Sequence, residues 1–168
     1  MNELLEQIDD VESFSFLLVD DRVNMRRTIR NMLRTYGFCN FGDADDGDVA
    51  IKKLKNQYYD FIICDWNMPR MKGVQLLRAI REDEELSEIP FLMITGEATQ
   101  DKIAEVIEAG VDGYLLKPFD IKSLENRIVE ILKVRKSEPL PLEAQILLAE
   151  HYSQVGCYWQ SNQELEKA

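Results

Sequence analysis

Five side chains that could carry chemistry stand where short apolar runs end. Asp20 and Asp21 follow residues 14–19, Asp65 follows residues 61–64, Thr95 closes residues 90–94, and Lys117 follows residues 113–116. If each run is a strand of one parallel sheet, these ends converge on the carboxyl edge, where α/β proteins bind their ligands. Three carboxylates gathered there repel, and each is driven toward its protonated form unless a cation intervenes. A hard, oxygen-seeking Mg2+ held by one or two carboxylates, a backbone carbonyl and waters meets that need. A lysine and a hydroxyl facing the same point make sense if one carboxylate is phosphorylated. The acyl phosphate oxygens would then be shared among Mg2+, the Lys117 ammonium and the Thr95 hydroxyl. Asp65 is the acid the others are expected to serve; read alone, it is equally a loop aspartate capping the next helix.

The elements that must hold these groups are legible around residues 61–64, Phe-Ile-Ile-Cys, a run without a polar break that suits a strand covered on both faces. Pro69 ends regular pairing and Gly73 opens the following helix region. Strands are expected at 14–19, 39–44, 61–65, 90–95 and 113–116. The second is polar enough for a sheet edge. Helices are expected at 23–36, after the turn Asp45-Asp46-Gly47, and at 74–84, 100–109 and 121–134. Met25, Ile29, Met32 and Leu33 share one face of the first. Gly37 and Gly110 follow helix ends as C′ residues. Repeated βα units with right-handed crossovers give an α/β fold, a doubly wound five-stranded parallel sheet.

The 168-residue chain has 45% hydrophobic and 30% charged residues, enough for one core and a small appendage. Its net charge of −11 argues against a nucleic-acid partner. Three cysteines, Cys39, Cys64 and Cys157, suit free thiols in a reducing compartment better than a disulfide framework. The acidic start is no signal peptide, and no run approaches the ~18 apolar residues that would span a bilayer, so a cytoplasmic location and no membrane partner are expected. Two prolines mark residues 136–141 as a linker. The expected organisation is an N-terminal extension (1–12), a main domain (13–135), the linker (136–141) and a polar helical tail (142–168).

Four blocks then stand out together: Val19-Asp20-Asp21, Asp65-Trp66-Asn67-Met68-Pro69, Met93-Ile94-Thr95-Gly96-Glu97 and Tyr114-Leu115-Leu116-Lys117-Pro118-Phe119. In this order and spacing they resemble the signature blocks of response-regulator receiver domains, closest to the chemotaxis type, over residues 13–135. Met25-Arg26-Arg27 after the acid pair is similar too. The resemblance implies a flavodoxin-like strand order 2-1-3-4-5. It implies Asp65 as phosphoacceptor from a sensor histidine kinase or phosphotransfer protein. Asp21 would be a direct Mg2+ ligand, Asp20 one acting mainly through water, and Asn67 the donor of a backbone carbonyl. Thr95 and Lys117 would sense the phosphoryl group, and Tyr114 would turn inward with Thr95. Asn67 and Glu97 would tune the phosphoryl lifetime. A cis bond is implied at Lys117-Pro118. Lys72 departs from the pattern, standing where many relatives carry an acid.

No basic helix-turn-helix is present, so output by protein contact is expected, through the fourth helix, fifth strand and fifth helix, with room for a homodimer. Enzymatic activity beyond self-catalysed phosphotransfer and autodephosphorylation is not expected. In the tail, Gln145, Leu148, Ala149, Tyr152, Gly156, Tyr158, Ser161, Leu165 and Ala168 resemble one tetratricopeptide repeat, which implies a parent protein that continues as a repeat array; an amphipathic hairpin would look alike. His151 reads as a plain helix residue, Cys64 as a small core group, Trp66 as a partly buried aromatic beside a loop, and Arg26 and Arg27 as a solvated helix face. Two rivals remain. One is a vestigial receiver acting as a phosphorylation-independent binding module. The other is a haloacid-dehalogenase-like phosphatase, which needs an Asp-x-Asp pair that Asp20-Asp21-Arg22-Val23 does not supply. No Gly-x-Gly-x-x-Gly follows the first strand, which excludes a dinucleotide oxidoreductase.

Overall fold

Alternation along the strands divides the apolar residues between two cores. In β1 (Ser15–Val19), β3 (Phe61–Asp65) and β4 (Phe91–Thr95), side chains fall alternately on opposite faces of one sheet. Leu17, Val19, Ile62, Cys64, Phe91 and Met93 line one core, and Phe16, Leu18, Phe61, Ile63, Leu92 and Ile94 the other. The computed structural model describes residues 2–136. The remaining strands are β2 (Asn40–Ala44) and β5 (Gly113–Leu116), and all neighbours pair in parallel in the order β2-β1-β3-β4-β5. This is the flavodoxin-like order, with the polar β2 at one edge. Register fixes the carboxyl ends together: Val19 lies opposite Cys64, and Asp65 opposite Ile94.

Among the described residues, six helices cover the sheet. α1 (Glu3–Glu6), α2 (Val23–Arg34) and α6 (Ile121–Lys136) pack on the phenylalanine-rich face. α3 (Gly47–Asn56), α4 (Gly73–Glu82) and α5 (Gln100–Glu108) pack on the other. Gly37 and Gly110, after α2 and α5, take positive φ values of +98° and +91°. Gly110 is the C′ residue after the Ala109 cap, whereas Gly37 stands one residue further out because α2 is capped at Thr35. The bond Lys117-Pro118 is cis. Helix ends differ from the sequence expectation by one or two residues, and α6 runs to Lys136, one residue into the expected linker. No helix among the described residues is long and apolar enough to cross a membrane.

The N-terminal segment is part of the fold rather than a loose extension. Leu4 is fully buried and Ile8 nearly so, both within the core shared by α2 and α6. Asn2 caps α1 through Leu4 N at 2.9 Å, Glu3 pairs with Lys133 of α6, and the Glu12 carbonyl accepts from Cys39 Sγ and Asn40 Nδ2. The linker beyond Lys136, His151, Cys157 and the repeat-like pattern of the tail lie outside the described residues.

Candidate functional site

β1 ends at Val19 and the chain turns at Asp20. Asp20 N donates to Ala44 O at 3.0 Å, and the Asp20 carboxylate accepts from Arg22 N at 2.8 Å. Its carbonyl accepts from the Arg26 guanidinium, which also faces Asp43 on β2 at 3.7 Å. Arg26 therefore does not lie on a solvated face. It is half-buried because its helix position points at the end of β1, and it ties α2 to the turn that carries the acids. Arg27 is exposed, and Arg30 pairs with Asp43.

Asp65 ends β3 and is 8% exposed. One carboxylate oxygen from each of Asp20, Asp21 and Asp65 lies within 4.8 Å of the others, with Asp20 and Asp65 buried and Asp21 exposed. Lys117, reaching over from the end of β5, sets its Nζ 2.8 Å from Asp65 Oδ1 and 3.6 Å from Asp20 Oδ2. Burial is the main reason Asp20 is pushed up to about 6, with Asp65 and Asp21 adding repulsion against the opposing pull of Arg22 N and Lys117. Crowded, desolvated carboxylates of this kind are a donor set for a hard divalent cation. Asp21 and Asp65 line an open cavity of about 370 Å3 together with Lys117, Asn67, Met68, Pro69 and Gly96, while Asp20 lies buried beside it. Gly73 opens α4 directly behind Asp65: a Cβ there would fall 2.4 Å from the Asp65 carbonyl oxygen, so only glycine lets the helix start so close to the strand end.

Thr95 is 1% exposed at the end of β4. Its hydroxyl donates to Glu97 O at 3.1 Å and accepts from Glu97 N at 3.2 Å, so it holds the loop after β4 rather than Asp65. Tyr114 is buried at 2% exposure, and its hydroxyl donates to the same Glu97 carbonyl at 2.7 Å. Thr95 and Tyr114 thus meet at one peptide group. The Glu97 side chain is exposed and pairs with Lys102 at 2.7 Å, which holds its carboxyl below the usual range. Lys102 Nζ also sits 5.8 Å over the Trp66 ring, and Trp66 is itself buried. Cys64, fully buried beneath the acids, has its thiol pushed well up by desolvation and stays a core group. Of the sequence-predicted residues, Asp20, Asp21, Asp65 and Lys117 form one cluster, Asn67 lines the same cavity, and Thr95, Glu97 and Tyr114 form a second group beside it.

Residues 16–129 match the response regulator receiver domain family. The chain belongs to that family. It is 49% identical to the chemotaxis protein CheY of Pseudomonas aeruginosa over 117 residues, covering 70% of this chain and 94% of that protein. It is 46% identical to the chemotaxis protein CheY-3 of Vibrio cholerae over 122 residues, 73% of this chain and 94% of that protein. Among solved structures, Vibrio cholerae CheY4 superposes with a TM-score of 0.63 at 33% identity, covering 67% of this chain and 93% of that one. A response regulator receiver protein from Pseudomonas putida superposes with a TM-score of 0.63 at 26% identity, over 71% and 95%. This receiver domain is therefore CheY-like and of the kind used in two-component signalling.

Proposed function

We propose that this receiver accepts a phosphoryl group on Asp65 from the phosphohistidine of a sensor kinase or phosphotransfer protein and then acts by protein contact. The observation that carries the reading is the Lys117 ammonium, 2.8 Å from Asp65 within a cluster of three carboxylates at the sheet's carboxyl edge. The donor set fits Mg2+, which Asp20, Asp21, Asp65 and the Asn67 carbonyl would hold. Bound there, Mg2+ supplies positive charge to the phosphoryl oxygens. The ionised Asp65 oxygen attacks phosphorus; its O–P bond forms as the donor's N–P bond breaks, and the imidazole keeps that electron pair and takes a proton from water. Lys117 follows the negative charge from the bare carboxylate onto the phosphoryl oxygens.

Thr95 joins them by giving up its bond to the Glu97 carbonyl, the group that Tyr114 also holds. Phosphorylation then shifts population among arrangements of the loop after β4 and the α5–β5–α6 face. That face is the proposed contact surface for a downstream protein or a second copy of the chain, with the repeat-like residues 145–168 as a second one. The net charge of −11 favours a protein target over nucleic acid.

Acetyl phosphate with MgCl2, followed by intact mass, tests the reading. The parent chain is expected to gain one acid-stable, base-labile phosphoryl group that Asp65→Asn does not. No gain in the parent would leave a binding module in its place.

A further inference from the structure

Asp46 is 1% exposed, and its surroundings are unusual for a residue that starts a helix. A helix-capping carboxylate ordinarily accepts from the second or third amide of its own helix. Asp46 accepts only Gly47 N from α3, at 2.8 Å, and turns the rest of its capacity to a remote segment. Asp46 Oδ1 accepts Met71 N at 2.7 Å and Asp46 Oδ2 accepts Arg70 N at 3.0 Å, 25 and 24 residues further along. Both amides belong to the loop between β3 and α4, the loop that carries Asn67.

Two further contacts dock that loop in the same place. A Cβ on Gly47 would meet Met71 Sδ at 2.7 Å, so the missing side chain is the seat of Met71. The Arg70 guanidinium reaches Asp45 and Asp48 on either side of Asp46, at 3.5 and 3.3 Å. At its other end the loop is held by Gly73 N donating to Trp66 O at 2.9 Å. Residues 67–69 span from the strand end at Asp65 to the Asp46 anchor, with Met68 buried and Asn67 exposed along the cavity.

We infer that Asp46 is a positioning residue for the site: its buried carboxylate fixes the β3–α4 loop, and through it the Asn67 backbone beside Asp65. The inference rests on the phosphoacceptor reading above and goes beyond it by assigning a part to a group that touches neither phosphate nor metal. Groups that orient a metal's ligands from behind typically change affinity 10- to 100-fold when altered. Asp46→Asn keeps the shape but turns an amide donor toward a backbone N–H. Asp46→Ser keeps a capping oxygen for α3 but is too short to reach Arg70 N and Met71 N.

MgCl2 titration of the full chain, read by tryptophan fluorescence, is the test, with the thermal midpoint recorded for each variant. Asp46→Asn and Asp46→Ser are expected to raise the Mg2+ Kd about tenfold. Asp112→Ala, at the opposite edge of the sheet, should lower the midpoint as much or more and leave the Kd unchanged. A parent-like Kd in Asp46→Ser would overturn the inference and leave Asp46 as a helix cap. Should the Asp46 variants not fold, Gly47→Ala, which displaces Met71 without touching the carboxylate, decides: a weakened Kd supports the inference and a parent-like Kd overturns it. If the parent itself does not respond and Asp65→Asn behaves identically, the phosphoacceptor reading falls, and the positioning role with it.

Discussion

Asp20 sits where burial and two neighbouring carboxylates oppose its charge, and its pKa of about 6 makes that opposition measurable. The unfolded chain releases this proton near 4. Between these values the folded chain holds more protons than the unfolded one, so stability falls as pH rises from about 4 to about 6. The loss is on the order of 3 kcal/mol for one group shifted by about two units. In EDTA, urea midpoints across this range should fall with pH in the parent and stay flatter in Asp20→Asn; equal slopes would contradict the crowding argument. The strand-end residues were legible in the sequence because each closes an apolar run, and a parallel sheet has only one edge to which such ends can go. Asp46 was not. Its signal is a turn aspartate before glycine, and its partners are backbone amides more than twenty positions away, which leave no side-chain signature. Arg26 was misread for a related reason: helical periodicity says which face is apolar, not that a polar flank will point at a carbonyl.

At the scale of elements, the difference lies in α1. Leu4 and Ile8, four residues apart in an acidic segment, were the available signal, and they proved too few to register as a helix against the surrounding charge. The helix is short, so its stability comes from packing rather than propensity. Leu4 is fully buried against α6, whereas its neighbour Leu5 is 36% exposed. Leu4→Ala should therefore cost about 2–4 kcal/mol, and Leu5→Ala should stay within about 0.5 kcal/mol of the parent. Chemical denaturation of the two variants checks this. Equal, small effects would mean that α1 adds nothing to the core. The same contact gives α6 an anchor at its C-terminal half, so the helix of the proposed output face is held at one end while its other end leads back toward Lys117.

Across the whole molecule the two edges of the sheet carry opposite electrostatics. The carboxyl edge gathers acids that repel, a cost the fold accepts at the site. The amino edge gathers paired charges around Asp112, just before β5. Arg81 of α4, on one face, donates to Asp112 Oδ2 at 2.7 Å, and Arg135 of α6, on the other face, donates to both oxygens at 2.9 and 2.8 Å. Phe91 N of β4 adds a bond at 2.8 Å, and Arg81 also donates to the Gly110, Ser87 and Ile89 carbonyls. One carboxylate thus joins both helical layers to the sheet at the edge away from the chemistry. Its removal leaves two largely covered guanidiniums without their shared anion, a loss of roughly 3 kcal/mol, toward the lower end for such a cluster because Arg135 is partly solvated. Asp112→Ala should lower the urea midpoint accordingly while leaving acetyl phosphate labelling of Asp65 within about twofold of the parent at temperatures where the variant is folded. If labelling instead fell in proportion to stability, the two edges would be coupled through α4, the helix that begins against the Asp65 carbonyl and ends at Arg81 and Glu82.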